Sequence, residues 1–178
     1  MAALNPSSPI VFSIRVCFIS CSRAPFMPPV RASPPSPGLM FVTWVIKDFK
    51  SLQHPITSPE FESGGCKWRV GVNPNANNSI CVYLTVSDWG KLPRGWKIKA
   101  KFWLAIKSPY QRRATRDDPN YFDWYCPAWG VNLLDRSELD DGFLDDHGDL
   151  SIEAHVEVLF KSGLQTCCCG KGFRQHVR

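Results

Sequence analysis

Residues Cys66–Val86 read CKWRVGVNPNANNSICVYLTV. Both halves alternate apolar and polar side chains, and the polar run NPNANNS separates them. A period of two places Cys66, Trp68, Val70 and Val72 on one face, with Lys67 and Arg69 on the other. Beyond the polar run, Val82, Leu84 and Val86 share a face opposite Cys81, Tyr83 and Thr85. The stretch predicts two half-buried strands joined by a polar loop.

The same period recurs on both sides. Phe41–Phe49 (FVTWVIKDF) is β-branched and aromatic, and directs Val42, Trp44 and Ile46 one way. Lys97–Lys107 (KIKAKFWLAIK) puts Ile98, Ala100, Phe102, Leu104 and Ile106 in one phase. Leu150–Phe160 (LSIEAHVEVLF) is the cleanest alternation: Leu150, Ile152, Ala154, Val156, Val158 and Phe160 face in, while Ser151, Glu153, His155 and Glu157 face out. On that phase Glu153 and His155 are solvated, and removing Glu153 is expected to change little. Gly64-Gly65 marks a turn, and Asp135 or Ser137 is a candidate cap for a helical turn ending at Gly142. Residues 108–120 are charged and read as a mobile loop. Six or seven such strands with little helix predict antiparallel sheets packed face to face, an all-β class.

Charge and composition divide the chain into three parts. The first 38 residues hold Arg15, Arg23 and Arg31 but no acid, and the last 17 hold Lys171, Arg174 and Arg178 but no acid. The net charge of +5 therefore comes from the ends, and residues 39–161 carry slightly more acid than base. That balance argues against a nucleic-acid-binding core. The Pro- and Ser-rich segment 1–38 predicts a disordered leader, with an organelle transit peptide or a mis-predicted start as alternatives. Its apolar run IVFSIRVCFI is too short and too interrupted to span a membrane. Residues 162–178 predict a second disordered tail, in which Cys167–Cys169 beside basic residues is a candidate lipidation site.

Chemistry is hard to assemble from this sequence. No His or Asp is paired by spacing with a Cys or Ser nucleophile. The eight Cys include no CxxC and no zinc-ligand spacing, so Cys66, Cys81 and Cys126 read as buried free thiols of a reducing compartment. The acidic run DDGFLDDHGD (140–149) lacks the ligand order of a calcium loop. No catalytic residue, metal or cofactor is predicted. What stands out is the crowding of Tyr121, Phe122, Trp124, Tyr125 and Trp129, a surface suited to holding a peptide.

Several features occur in a fixed order: Phe41, Trp44, Ile46 and Phe49; Phe61 with Gly64-Gly65 before Cys66-Lys67-Trp68-Arg69; Asn73-Pro74; Val82-Tyr83-Leu84; Leu92-Pro93 and Gly95-Trp96; Ala100-Lys101-Phe102; Trp129-Gly130; Gly142-Phe143-Leu144; and Leu150–Val158. The set resembles the MATH domain (meprin and TRAF-C homology), in its plant branch, over residues 39–161. The resemblance implies an eight-stranded antiparallel β-sandwich that binds short linear motifs of partner proteins in a shallow aromatic groove. It also implies a ubiquitin-pathway adaptor role. A structural variant of the interaction reading is self-association through the sandwich edge or the tail, without peptide binding. The groove positions it implies are Tyr83, Phe102, Tyr121, Trp129 and Val131. Val131 stands where the family often has Phe, and Phe102 lies on the core phase, so it reaches a groove only if a bulge turns it. The alternative is a fragment of a MATH-containing deubiquitinase without its catalytic domain. The expected location is cytoplasmic or nuclear.

Overall fold

In the computed structural model of the chain, residues 40–115 and 118–164 are described, together with the backbone of 16–18. The expectations for the rest of 1–38 and for 165–178 lie outside the described residues. Cys66–Val86 folds as a hairpin, but one tighter than the sequence suggests. Its first strand, β5, runs Cys66–Ala76 and its second, β6, runs Ser79–Val86. Most of NPNANNS is thus strand. A register irregularity between Asn73 and Ala76 absorbs the polar residues, and the turn itself is Asn77-Asn78 at φ of 53° and 64°. Two consecutive left-handed residues match the right-handed twist of a hairpin, and Asn tolerates that conformation.

The other strands, in chain order, are β1 (Val16–Phe18), β2 (Met40–Ile46), β3 (Ile56–Thr57), β4 (Phe61–Ser63), β7 (Lys97–Lys107), β8 (Arg112–Ala114), β9 (Asp118–Asp123), β10 (Ala128–Asp135) and β11 (Leu150–Ser162). They form two sheets, ordered β1-β10-β6-β5-β3 with β4 also on β5, and β2-β11-β7-β8 with β9 also on β7. β3 and β4 flank successive parts of β5, and β8 and β9 flank successive parts of β7. Counted by position, residues 40–164 therefore occupy eight strand places, four per sheet, as expected of this sandwich. Every pairing among them is antiparallel. The 108–120 segment is correspondingly not one open loop, since it contains β8 and the start of β9.

The core is built by the predicted faces. Trp68, Val70, Val72, Val82, Leu84 and Val86 meet Ile98, Phe102, Leu104, Ile106, Leu150, Ile152 and Val156. Trp68 is fully buried, donates its Nε1 proton to the Ser63 carbonyl at 3.2 Å and meets Phe122 edge-on at 5.0 Å. Trp44 faces in as expected but is half-buried, because β2 is an edge strand. Asp135 precedes the short 3-10 turn Arg136–Glu138, and the Glu138 carboxylate accepts its backbone N–H at 3.1 Å.

Two residues of β11 depart from simple alternation. A register shift between Val158 and Phe160 turns Phe160 outward, where it is 55% exposed. Glu153 keeps its outward phase yet is only 4% exposed, so it is not the solvated residue predicted. β11 is flanked by β2 and β7, and from the same outer face Lys107 and Arg112 each reach the Glu153 carboxylate at 3.0 Å. His155 is likewise not simply solvated: Phe41 and Trp103 meet it edge-on from either side at 4.6 and 4.9 Å.

Truncating Trp68 to Ala is expected to cost about 3–5 kcal/mol, read as a lower urea midpoint. Glu153→Ala strands two cations on the sheet, although both are half-exposed and can turn to water, so the expected loss is about 1–3 kcal/mol. An unchanged midpoint in Glu153→Ala would show that the carboxylate does not hold that face together.

Candidate functional site

The short β6 strand is buried on both sides throughout its length. Its inner face belongs to the core. Its outer face carries Cys81 and Tyr83, which form a second small apolar cluster with Ala128. Tyr83 pairs across the sheet with Gly71 on β5 and Gly130 on β10. Its ring lies flat over Gly71: a Cβ there would fall 2.1 Å from Tyr83 Cζ, and one at Gly130 would fall 2.4 Å from Tyr83 Cβ. Both positions exclude any side chain, which explains why glycine interrupts two otherwise good strands. The outward phase predicted for Tyr83 is right, but the ring is sunk into the sheet and only 6% exposed.

The remaining groove candidates gather on the side of the sandwich where β9 and β10 stand opposite each other. Trp129 is half-buried on the inner phase of β10, and its Nε1 donates to the Tyr121 carbonyl on β9 at 2.6 Å. The indole thus bridges the two sheets at their open side. Tyr121 points outward, is 56% exposed, and has the Lys99 ammonium 5.2 Å above its ring. Next to it, Trp124 meets Trp89 edge-on at 5.6 Å and carries the Arg94 guanidinium at 5.9 Å. Val131 is 8% exposed, on the same inner phase as Trp129. Phe102 is 1% exposed and packs against Phe122 at 5.8 Å; the β7–β9 register runs through it without a bulge, so it supports the wall from the core and presents no surface. The structure therefore joins Tyr121 and Trp129 directly, with Val131 behind them and Phe102 beneath. Tyr83 lies around the edge on the outer face of the other sheet.

What this wall offers is aromatic surface, cations and strand edges. Among the described residues no cluster of His, Cys, Asp or Glu has the arrangement of a metal site. Burial pushes the thiol of Cys66 up, and that of Cys81 up to about 11, the opposite of an activated nucleophile. Both are free thiols, as expected. Cys126 is not: it is disulfide-bonded, to a partner outside the residues whose side chains are described. Its position in the turn before β10, where Asp123 Oδ1 accepts the backbone N–H groups of Tyr125 and Cys126 at 2.9 Å each, leaves it only part-buried and open to such a bond.

A family model described as the MATH domain matches residues 41–156. The chain belongs to the MATH-domain family. Two MATH domain and coiled-coil domain-containing proteins of Arabidopsis thaliana are 35% and 39% identical over 134 and 130 residues. Those alignments cover 68% and 66% of this chain, but 44% and 40% of the relatives. A TNF receptor-associated factor homolog of the same plant is 29% identical over 123 residues, 66% of this chain and 12% of its own length. This MATH domain is thus of the plant type, and the chain spans less than half the length of those relatives. The family is a protein–protein interaction fold. These relatives are named for their domains and their TRAF likeness, not for a catalytic activity. No helix among the described residues is long and apolar enough to cross a membrane.

The outer cluster on β6 gives a pH prediction. Desolvation also raises the Tyr83 phenol, with the nearby Cys81 adding to the effect. An acid whose folded-state pKa is raised stabilises the fold while protonated, so that contribution is intact below the unfolded pKa and is lost above it. For Cys81 the window runs from 9.0, its ordinary value, to about 11. Stability of the wild type is therefore expected to fall across that window, and Cys81→Ala should flatten the decline in a series of denaturation curves. Identical slopes in the two proteins would contradict the burial of this thiol.

Proposed function

We propose that this domain is a non-catalytic interaction module that binds a short, extended segment of a partner protein along the β9–β10 side. The observation that carries the reading is the Trp129–Tyr121 bridge. It fixes one aromatic across the open side of the sandwich and leaves another more than half exposed beside it, at 56%. Exposed aromatic side chains held by rigid strands lose little entropy on binding and serve as anchors. Lys99 and Arg94 stand over the neighbouring rings, which favours a segment that combines apolar residues with a carboxylate. The TRAF and coiled-coil names of the relatives support a role as an adaptor, and substrate recruitment in the ubiquitin pathway is the form of it we favour.

Self-association is a second reading, supported by β2. That edge strand is uncharged from Met40 to Ile46, and exposes Met40, Phe41 and Val45 by 40%, 50% and 44%. Such an edge is suited to strand pairing between copies.

Tyr121→Ala separates binding from folding better than Tyr83→Ala or Trp129→Ala, because the Tyr121 ring contributes little to the core. In affinity capture from plant extract, Tyr121→Ala is expected to lose partners by more than about thirtyfold, equivalent to about 2 kcal/mol, with an unchanged urea midpoint. A folded Tyr121→Ala protein that retains every partner would remove the β9–β10 side from consideration.

A further inference from the structure

Where β9, β7 and β11 run side by side, the second sheet turns a row of aromatic and basic side chains to solvent. The outer phase of β7 reads Lys97, Lys99 and Lys101, because Ile98, Ala100 and Phe102 fill the core. Lys97 stands beside Asp123 of β9, and Lys101 beside Glu157 of β11. Lys99 differs from both: its cross-strand neighbours are two aromatic residues, Tyr121 of β9 and Phe160 of β11.

Phe160 owes its place in the row to the register shift after Val158. Strict alternation would point it into the core, and the shift sets it on the outer face, 55% exposed. Bulges re-aim side chains in this way at the borders of functional sites. Tyr121 ends the row on the other side of the lysine, with its ring equally open to solvent. Neighbouring strands lie about 4.8 Å apart, so the two aromatic residues stand roughly 10 Å from each other with Lys99 between them.

The ammonium in this row lacks a counter-charge. It lies 5.2 Å from the centre of the Tyr121 ring, and among the described residues no carboxylate reaches it. Elsewhere such groups are paired: Lys107 and Arg112 share Glu153, and Lys67 holds Glu60 at 2.8 Å. A ring face attracts an ammonium but does not neutralise it. Two apolar walls also keep part of the surrounding water away, which strengthens any ion pair formed there.

We infer that Lys99, walled by Tyr121 and Phe160, is an anion subsite of the proposed binding side and takes one Asp or Glu side chain of the bound segment. The inference rests on the peptide-binding reading above. The segment's main chain follows the β9–β10 side, and its acidic side chain reaches over the Tyr121 ring to the ammonium. Lys99 is then the residue that selects acidic sequences, and Phe160 is a positioning residue that closes the far side of the pocket. Arg94 sits on an exposed loop outside the row and takes no part in the selection. A single-stranded nucleic acid also uses aromatic rings and cations. Here Asp123 and Glu157 border the row on either side of Lys99, where they repel a phosphate chain and favour a single carboxylate.

The test uses the full chain and an array of random synthetic peptides. Among peptides whose capture requires Tyr121, the wild type is expected to enrich Asp or Glu at one position. One such peptide is then titrated by fluorescence anisotropy against its counterpart with Gln in place of the acid. The wild type should bind the acidic form at least about tenfold more tightly. Lys99→Met, which keeps the aliphatic stem, should bind both forms alike, while Lys99→Arg and Arg94→Met keep the preference. Phe160→Ala should narrow it to about threefold or less and leave the Gln form unaffected, a change that loss of packing alone would not produce. Urea midpoints close to the wild type are expected for all these variants, since the substituted side chains lie outside the core. A preference that survives Lys99→Met, or Tyr121-dependent peptides with no acidic position, would overturn the inference and leave the peptide-binding reading standing. The absence of any Tyr121-dependent peptide would overturn both. Lys99-dependent binding of a labelled oligothymidylate, without an acidic preference among peptides, would assign the row to a phosphate chain and likewise overturn the inference.

Discussion

Tyr83 lies flat in a sheet because Gly71 and Gly130 give it room, and the outer face of the first sheet depends on that contact. A Cβ at either glycine would sit well inside van der Waals distance of the tyrosine. The contact buries β6 on both sides, so the central strand of the sheet has no solvated face. One consequence is electrostatic: Cys81 and Tyr83 sit where their anions are disfavoured. The other is geometric. Gly130 leaves β10 thin at its middle, and the strand that borders the candidate site therefore presents backbone where it might have presented side chains.

The second sheet is organised by different means. Its outer face is held by Glu153 between Lys107 and Arg112, with His155 clasped by Phe41 and Trp103 and the Arg112 guanidinium 4.5 Å over the Trp103 ring. Side chains from β2, β11, β7 and β8 thereby interlock across the sheet. β9 joins this sheet through its pairing with β7, the neighbour of β11. Tyr121 is presented from β9 on that support, and Trp129 closes the gap to the other sheet. A module that binds by surface complementarity needs such fixed anchors more than it needs reactive groups.

Much of this was legible in the sequence. The alternation of β5, β6, β7 and β11 reports which side of each strand meets the core, because burial on one face imposes a period of two. The class and most of the inner residues followed; the eight strand places came from the family resemblance, since β8 and the start of β9 read as a loop. Features that depend on neighbours distant in sequence did not. Glu153 reads as an outward carboxylate, and only β7 and β8 beside it make it buried. Phe160 reads as core, and a one-residue shift reverses it. NPNANNS reads as a loop, although two left-handed asparagines suffice for the turn. Tyr121 and Trp129 were legible as site residues chiefly through family resemblance, since local pattern cannot say that two strands from different sheets will meet. The disulfide at Cys126 and the docking of Val16–Phe18 on β10 have no local signal either, as no pattern in a short apolar run names the edge it will join.

The proposed binding mode takes partners along the β9–β10 side and not on the sheet faces or the opposite edge. Hydrogen-exchange mapping of the full chain, with and without a partner protein recovered by Tyr121-dependent capture, addresses it directly. Added protection is expected to be confined to residues 119–131, with exchange in β2, β3 and β4 unchanged. Protection that appeared on β2 or on the β3–β5 edge, with 119–131 unaffected, would contradict it.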